Sequence, residues 1–182
     1  MKDMREDILS FWFTETAPAQ WFQVSPVFDE MVRTKFLDHF LWAERGYCDD
    51  WANTADGALA LILTFDQFPR NMFRDDPRQY ATDAKALQIA ERAIERGFDQ
   101  VMPPLKRRFV YLPFEHSEDI GHQYRSVQLF AAMKNDDPMG VEYAERHLRV
   151  IEQFGRFPHR NHILGRESTP AEDLFLRTGG KY

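Results

Sequence analysis

The chain has 182 residues, of which 43% are hydrophobic and 14% aromatic, and it carries a formal charge of -6. A chain of that length buries roughly 70% of the surface its unfolded form exposes, so it needs no disulfide or metal to hold a core. The acidic balance excludes a general nucleic-acid binder, the single Cys48 excludes an internal disulfide, and no apolar run reaches the roughly 20 residues of a membrane span. Asp3, Glu6 and Asp7 stand where a signal peptide needs positive charge. The expected compartment is therefore cytoplasmic.

Helical periodicity runs through the sequence, and no stretch alternates as a half-buried strand would. A first helix over about 4–13 carries Ile8, Leu9, Trp12 and Phe13. Ser25-Pro26 starts a second over about 26–44, with Phe28, Val32, Phe36 and Phe40, together with Met31, Leu37 and Leu41, on one side and Gly46 beyond its end. The segment Ala58 to Phe65 is apolar nearly all round and reads as a central helix. Asp76-Pro77 predicts a helix over about 77–96, followed by shorter helices over about 104–112 and 118–133. Asp137-Pro138 opens one over about 138–154, stopped by Gly155, and Thr169-Pro170 with Glu172 is a capping box opening a last helix over about 170–177. Eight or so helices joined by short loops make one all-α domain spanning 1–182. Paired helices stacked in a right-handed superhelix are the expected arrangement, with a closed bundle as the alternative.

Two segments echo each other. Phe65-Asp66-Gln67-Phe68-Pro69-Arg70-Asn71 and Phe154-Gly155-Arg156-Phe157-Pro158-His159-Arg160-Asn161 share Phe-x-x-Phe-Pro followed by Arg-Asn. Proline disfavours the α conformation in the residue before it, so Phe68 and Phe157 are expected to leave the helix and turn the chain. One reading makes Arg70, Asn71, Arg160 and Asn161 caps for orphan helix carbonyls. The other gathers arginines and amides into a multi-donor site for a carboxylate or phosphate, provided the corners lie close together.

Two further motifs carry polar chemistry. In Pro113-Phe114-Glu115-His116-Ser117-Glu118-Asp119, Ser117 is expected to cap the next helix, with Glu118 and Asp119 facing its positive end. Glu115 and His116 precede the cap, and a carboxylate beside an imidazole suits a proton acceptor. Across Arg156 to Thr169, Arg156, Arg160 and Arg166 outweigh the case for His159 and His162 as metal ligands, so no metal is expected. Nucleotide-binding and serine-hydrolase motifs are absent, and no cofactor is expected. His39, His122 and His147 read as surface or satisfied interior side chains. Trp12, Trp21, Trp42 and Trp51 read as core.

The motifs Ile8 to Phe13, Trp21-Phe22, Leu59 to Leu63, Asp66 to Asn71, Pro113 to Glu118, Phe154 to Asn161 and Leu164-Gly165-Arg166 with Ser168-Thr169 together make the chain resemble the bacterial domain-of-unknown-function family numbered 924. The resemblance covers nearly the whole chain. It implies an all-α fold of tetratricopeptide-like stacked helical hairpins and carries over no catalytic residues.

The functional expectation is a small anionic ligand or acidic peptide end held at the two corners. Arg70, Arg156, Arg160 and Arg166 supply charge, Gln67, Asn71 and Asn161 supply amide donors, His159 joins them, and Asp66 orients an arginine. A hydrolase using Glu115 or His116 as general base is the alternative, and a scaffold for a partner protein is a third reading on fold analogy alone. Neither nucleic acid nor membrane is an expected partner, and oligomeric state is not legible in the chain.

Overall fold

The computed structural model describes residues 3–180 and is all-helical, with no strand among the described residues. Met1 and Lys2, part of the amino-terminal segment weighed above, lie outside the described residues, as do Lys181 and Tyr182. The helices are α1 (Arg5–Ser10), α2 (Pro26–Glu44), α3 (Ala55–Ile62), α4 (Phe68–Met72), α5 (Asp83–Glu95), α6 (Pro104–Glu115), α7 (Ile120–Ala132), α8 (Pro138–Phe154) and α9 (Pro170–Arg177). No helix is long and apolar enough to cross a membrane. The chain divides into two compact units, with the division after Pro113.

The start signals act as their chemistry requires. Ser25, Asp76, Asp137 and Thr169 each accept a backbone N–H with proline at the first helical position, and Thr169 and Glu172 form the expected reciprocal box. Asp76-Pro77, however, opens only a 3-10 turn over Pro77–Tyr80, and α5 begins at Asp83. The cause is Thr82, whose hydroxyl serves another element. It donates to the Phe65 carbonyl at 2.6 Å.

In the first unit an aromatic core forms from Phe11, Trp12, Trp21, Phe28, Phe36, Phe68 and Phe109. The rings of Phe36 and Phe68 stack at 4.7 Å, and Trp12 packs at 5.7 Å on Phe68 and 5.8 Å on Phe109. Trp42 and Trp51 are only half-buried, so the core reading holds fully for Trp12 and Trp21. Met31 and Leu41 of the α2 stripe are exposed, because the buried seam follows Phe28, Val32, Phe36 and Phe40. Cys48 is buried, and burial pushes its thiol up to about 11, which leaves it an inert core side chain. His39 is 3% exposed and neither ring nitrogen has a hydrogen-bond partner. Its ring lies instead on Trp51 at 5.1 Å, and burial lowers its pKa.

Phe68 does not leave the helix. It sits at φ -60°, ψ -40°, and α3 passes through a π turn at Leu63–Gln67 directly into α4. Pro69 cannot donate to the Phe65 carbonyl four residues back, and its ring would crowd that group. The π turn opens the ladder there, and the Thr82 hydroxyl supplies the missing donor. Full burial of the Phe68 ring in the aromatic core holds the helical course.

In the second unit α7 and α8 pack along their length. Leu129 and Phe130 of α7 and Ala144, Val150 and Ile151 of α8 are buried, and Val150, Ile151 and Phe157 form a core flanked by Phe154 and Phe175. Here the chain does turn. Gly155 takes φ +67°, the left-handed conformation that ends α8, and Phe157 is extended at ψ 107°.

Candidate functional site

The first Phe-Pro segment is closed on itself. Arg70 grips Asp83 through two bonds of 2.9 and 3.0 Å and donates to the Asp66 carbonyl. Its charge is strongly retained: burial opposes it, and Asp66 and Asp83 together outweigh that cost. The Gln67 amide reaches Asp66 at 2.6 Å. Asn71 donates at 2.8 Å to Asp29, which also takes two bonds from Arg74, so Asp29 stays ionised below its ordinary range against the cost of its burial. Asp66, Gln67, Arg70 and Asn71 are therefore together, and each has an internal partner.

The second segment is built around Glu118. This carboxylate does not complement the dipole of α7; the cap is Asp119, which accepts from the His122 backbone at 3.0 Å, while Ser117 lies before it, accepting from the Asp119 backbone and bonding the His122 ring. Glu118 instead reaches forward 39 residues to accept the Phe157 backbone N–H at 2.8 Å and takes two bonds from Arg166 at 2.7 and 3.0 Å. Burial opposes ionisation of Glu118, yet the Arg166 and Phe157 bonds hold it below its usual range. Arg166 also donates to the Phe157 carbonyl and to the Asn161 amide oxygen, and Asn161 passes a bond to Ser168. Arg156 pairs with Glu172 at 2.6 and 2.8 Å, and that pairing, against desolvation and with help from the Thr169 backbone, lowers the Glu172 carboxyl to about 2. Arg156 and Arg166 thus each hold a carboxylate.

Arg160 reaches the end of α6. It is 7% exposed, donates at 2.8 Å to the His116 carbonyl, and lays its guanidinium over the Phe157 ring at 4.7 Å. The Gln123 amide nitrogen donates to the carbonyls of Phe114, Glu115 and Ser117 at 3.3, 2.7 and 2.6 Å. These two side chains bind the end of α6 and fix Glu115 and His116. Around the fully buried Phe157 ring stand His147 at 5.6 Å and His159 at 5.9 Å, with His116 at 6.5 Å from His147. His147 Nδ1 lies 2.8 Å from the Tyr143 carbonyl and 3.4 Å from Glu115 Oε1. A carbonyl only accepts, so Nδ1 carries the hydrogen and the neutral ring keeps its lone pair on Nε2.

Burial pushes His147 down to about 3; the bond to the Tyr143 carbonyl opposes this, and electrostatic repulsion from His116, His159 and Arg160 reinforces it. The ring is neutral at physiological pH. His147 is the interior one of the two expected alternatives, in the buried seam of α8 with Gly140, Ala144, Val150 and Ile151. Its spacing from Ala144 and Ile151 was the available signal. His162, four residues from Arg166, is exposed. Among the described residues no three His, Cys, Asp or Glu side chains group as metal ligands.

The fold and this corner define an all-helical protein whose polar residues are ordered by long-range arginine–carboxylate pairs. The chain belongs to the family of bacterial proteins of unknown function DUF924, whose model matches residues 8–180. It is similar to the solved structure of a protein of unknown function from Agrobacterium tumefaciens, with 42% identity, a TM-score of 0.90, and coverage of 97% of this chain and 98% of that one. No curated protein matches it.

Proposed function

We propose that the protein binds a small anionic ligand or an acidic peptide end at the second Phe-Pro corner, through Arg160, His159 and His116. The observation that carries this reading is the placing of Arg160 and His159 about the Phe157 ring and of His116 beside the neighbouring His147 ring, with His116 and His159 half-buried and so still reachable. A guanidinium in a poorly hydrated setting binds oxyanions more strongly than one in bulk water. Asp66, Gln67, Arg70, Asn71, Arg156, Asn161 and Arg166 belong to this reading as frame, since their internal partners keep the two segments in shape. Titration against phosphorylated and carboxylated metabolites, by calorimetry on the wild type, His159→Ala and Arg160→Ala, tests it. Binding that falls at least tenfold in both variants supports the site. Unchanged affinity in both for every hit contradicts it.

A hydrolase with Glu115 or His116 as general base is the second reading, favoured by the 3.4 Å approach of Glu115 to His147. Glu115 is itself buried, and a carboxylate within reach of an imidazole can exchange a proton with it. Turnover in a broad ester and phosphoester screen that disappears in Glu115→Gln would support it, and a flat screen counts against it.

A further inference from the structure

The first unit holds an open cleft of about 990 Å³, and none of its lining residues belongs to the second Phe-Pro corner. One wall is the stripe Glu6, Leu9 and Phe13, which runs from α1 into the π turn at Phe11–Glu15. Residues three and four apart share a helix face, so these side chains follow one another along the cleft. At roughly 1.5 Å of rise per residue the stripe is about 10 Å long. The start of α3 and Lys106 of α6 complete the cleft.

The charges stand at the two ends of that stripe. At the beginning, Arg5 is committed to Asp3, to which its side chain donates three bonds. Glu6 beside them is exposed, and no described residue pairs with it. At the other end the Lys106 ammonium lies 5.8 Å from the centre of the Phe13 ring and 3.5 Å from exposed Asp56. So long and exposed a pair contributes little, and a better placed carboxylate can replace it. Between the ends, Leu9 and Phe13 offer apolar surface, while Ser10, Thr14 and Thr54 bring hydroxyl groups. A hydroxyl both donates and accepts, as the C=O and N–H of a peptide bond require.

We propose that this cleft binds a short peptide with both termini free, its amino group at Glu6, its carboxylate at Lys106 and an apolar side chain on Leu9 and Phe13. An extended chain covers roughly 3.3–3.6 Å per residue, so about three residues span the stripe, whereas a single amino acid reaches only one end. A purely anionic ligand would meet the carboxylates of Asp3, Glu6 and Asp56. An uncharged apolar one would strip water from Glu6 and Lys106 and replace it with nothing. The site goes beyond the anion reading and does not depend on it.

Calorimetric titration of the full chain with the tripeptide Ala-Phe-Ala tests this. Each terminus makes a charge-assisted contact, so the free tripeptide should bind about tenfold or more tightly than its N-acetylated form, its C-amidated form or phenylalanine alone. Glu6→Gln should weaken the free tripeptide by about the same factor and leave the N-acetylated form unaffected, because the contact it removes is already gone. Lys106→Gln should behave likewise towards the C-amidated form. Glu6 is exposed and Lys106 partly so, which lets both variants fold, and the blocked peptides test the wild type without any variant. Equal binding of free and blocked tripeptides, undiminished binding in both variants, or no saturable binding of the free tripeptide overturns the proposal and leaves the anion reading untouched.

Discussion

The two Phe-Pro segments share most of their residues and take opposite courses. At Phe65 to Asn71 the helix continues through the proline, whereas at Phe154 to Asn161 the helix ends and the chain turns. One difference is local: Gly155 occupies the place corresponding to Asp66, and only the glycine enters the left-handed conformation without cost. The other is tertiary. Phe68 is drawn into an aromatic core and Thr82 supplies the donor that Pro69 lacks, while Glu118 captures the Phe157 N–H and fixes the turn. A dipeptide preference therefore decides the conformation only where packing does not oppose it.

This contrast can be broken most forcefully at Phe68. Phe68→Ala removes a fully buried ring and should cost about 3–5 kcal/mol in urea unfolding, with the π turn losing amide-exchange protection first. A loss below about 1 kcal/mol would mean that the ring does not hold the helical course. Glu118→Ala comes next, because it strands the Arg166 charge and the Phe157 N–H together. For this half-buried pair the expected cost is about 2–3 kcal/mol, with faster exchange at Phe157. Gly155→Ala forces a Cβ into a left-handed residue and should cost about 1–2 kcal/mol, whereas Asp66→Ala should leave the helical course of the first segment intact.

The smallest change at neutral pH concerns His147. Its folded pKa lies below its unfolded value, so the folded state binds fewer protons as acid is added, and stability present above about pH 6.5 is lost as pH falls towards about 3. His147→Leu should remove that part of the acid slope, leaving the decline below about pH 4.5 that follows from the depressed carboxyls of Asp29, Glu118 and Glu172. Superimposable stability–pH curves between pH 4.5 and 6.5 would contradict the neutral, buried state of the ring.

Much of the fold could be read directly from the chain. Helices α2, α8 and α9 begin and end where Ser25-Pro26, Asp137-Pro138, Thr169-Pro170 and the glycines Gly46 and Gly155 place them, since caps are local chemistry. The continuous α3 to α4 path was not legible, because it depends on Thr82 and on Phe36, which are remote in sequence. The same limit applies to the site. Arg160 and His159 could be singled out from their motif, but the pairing of Arg166 with Glu118, 48 residues away, and the approach of His147 to Glu115 arise only from packing. Arg70, Arg156 and Arg166 hold carboxylates, and Arg160 reaches a backbone carbonyl and an aromatic face, contacts that no spacing in the chain foretells.

The claim that the second corner, and not the first, recognises an anion is tested most directly by following the histidine side-chain NMR signals during a phosphate titration. Saturable shifts of His116, His147 and His159, with His39 and His122 unmoved, are predicted. No saturable shift at those three, or a response confined to His39, would contradict it.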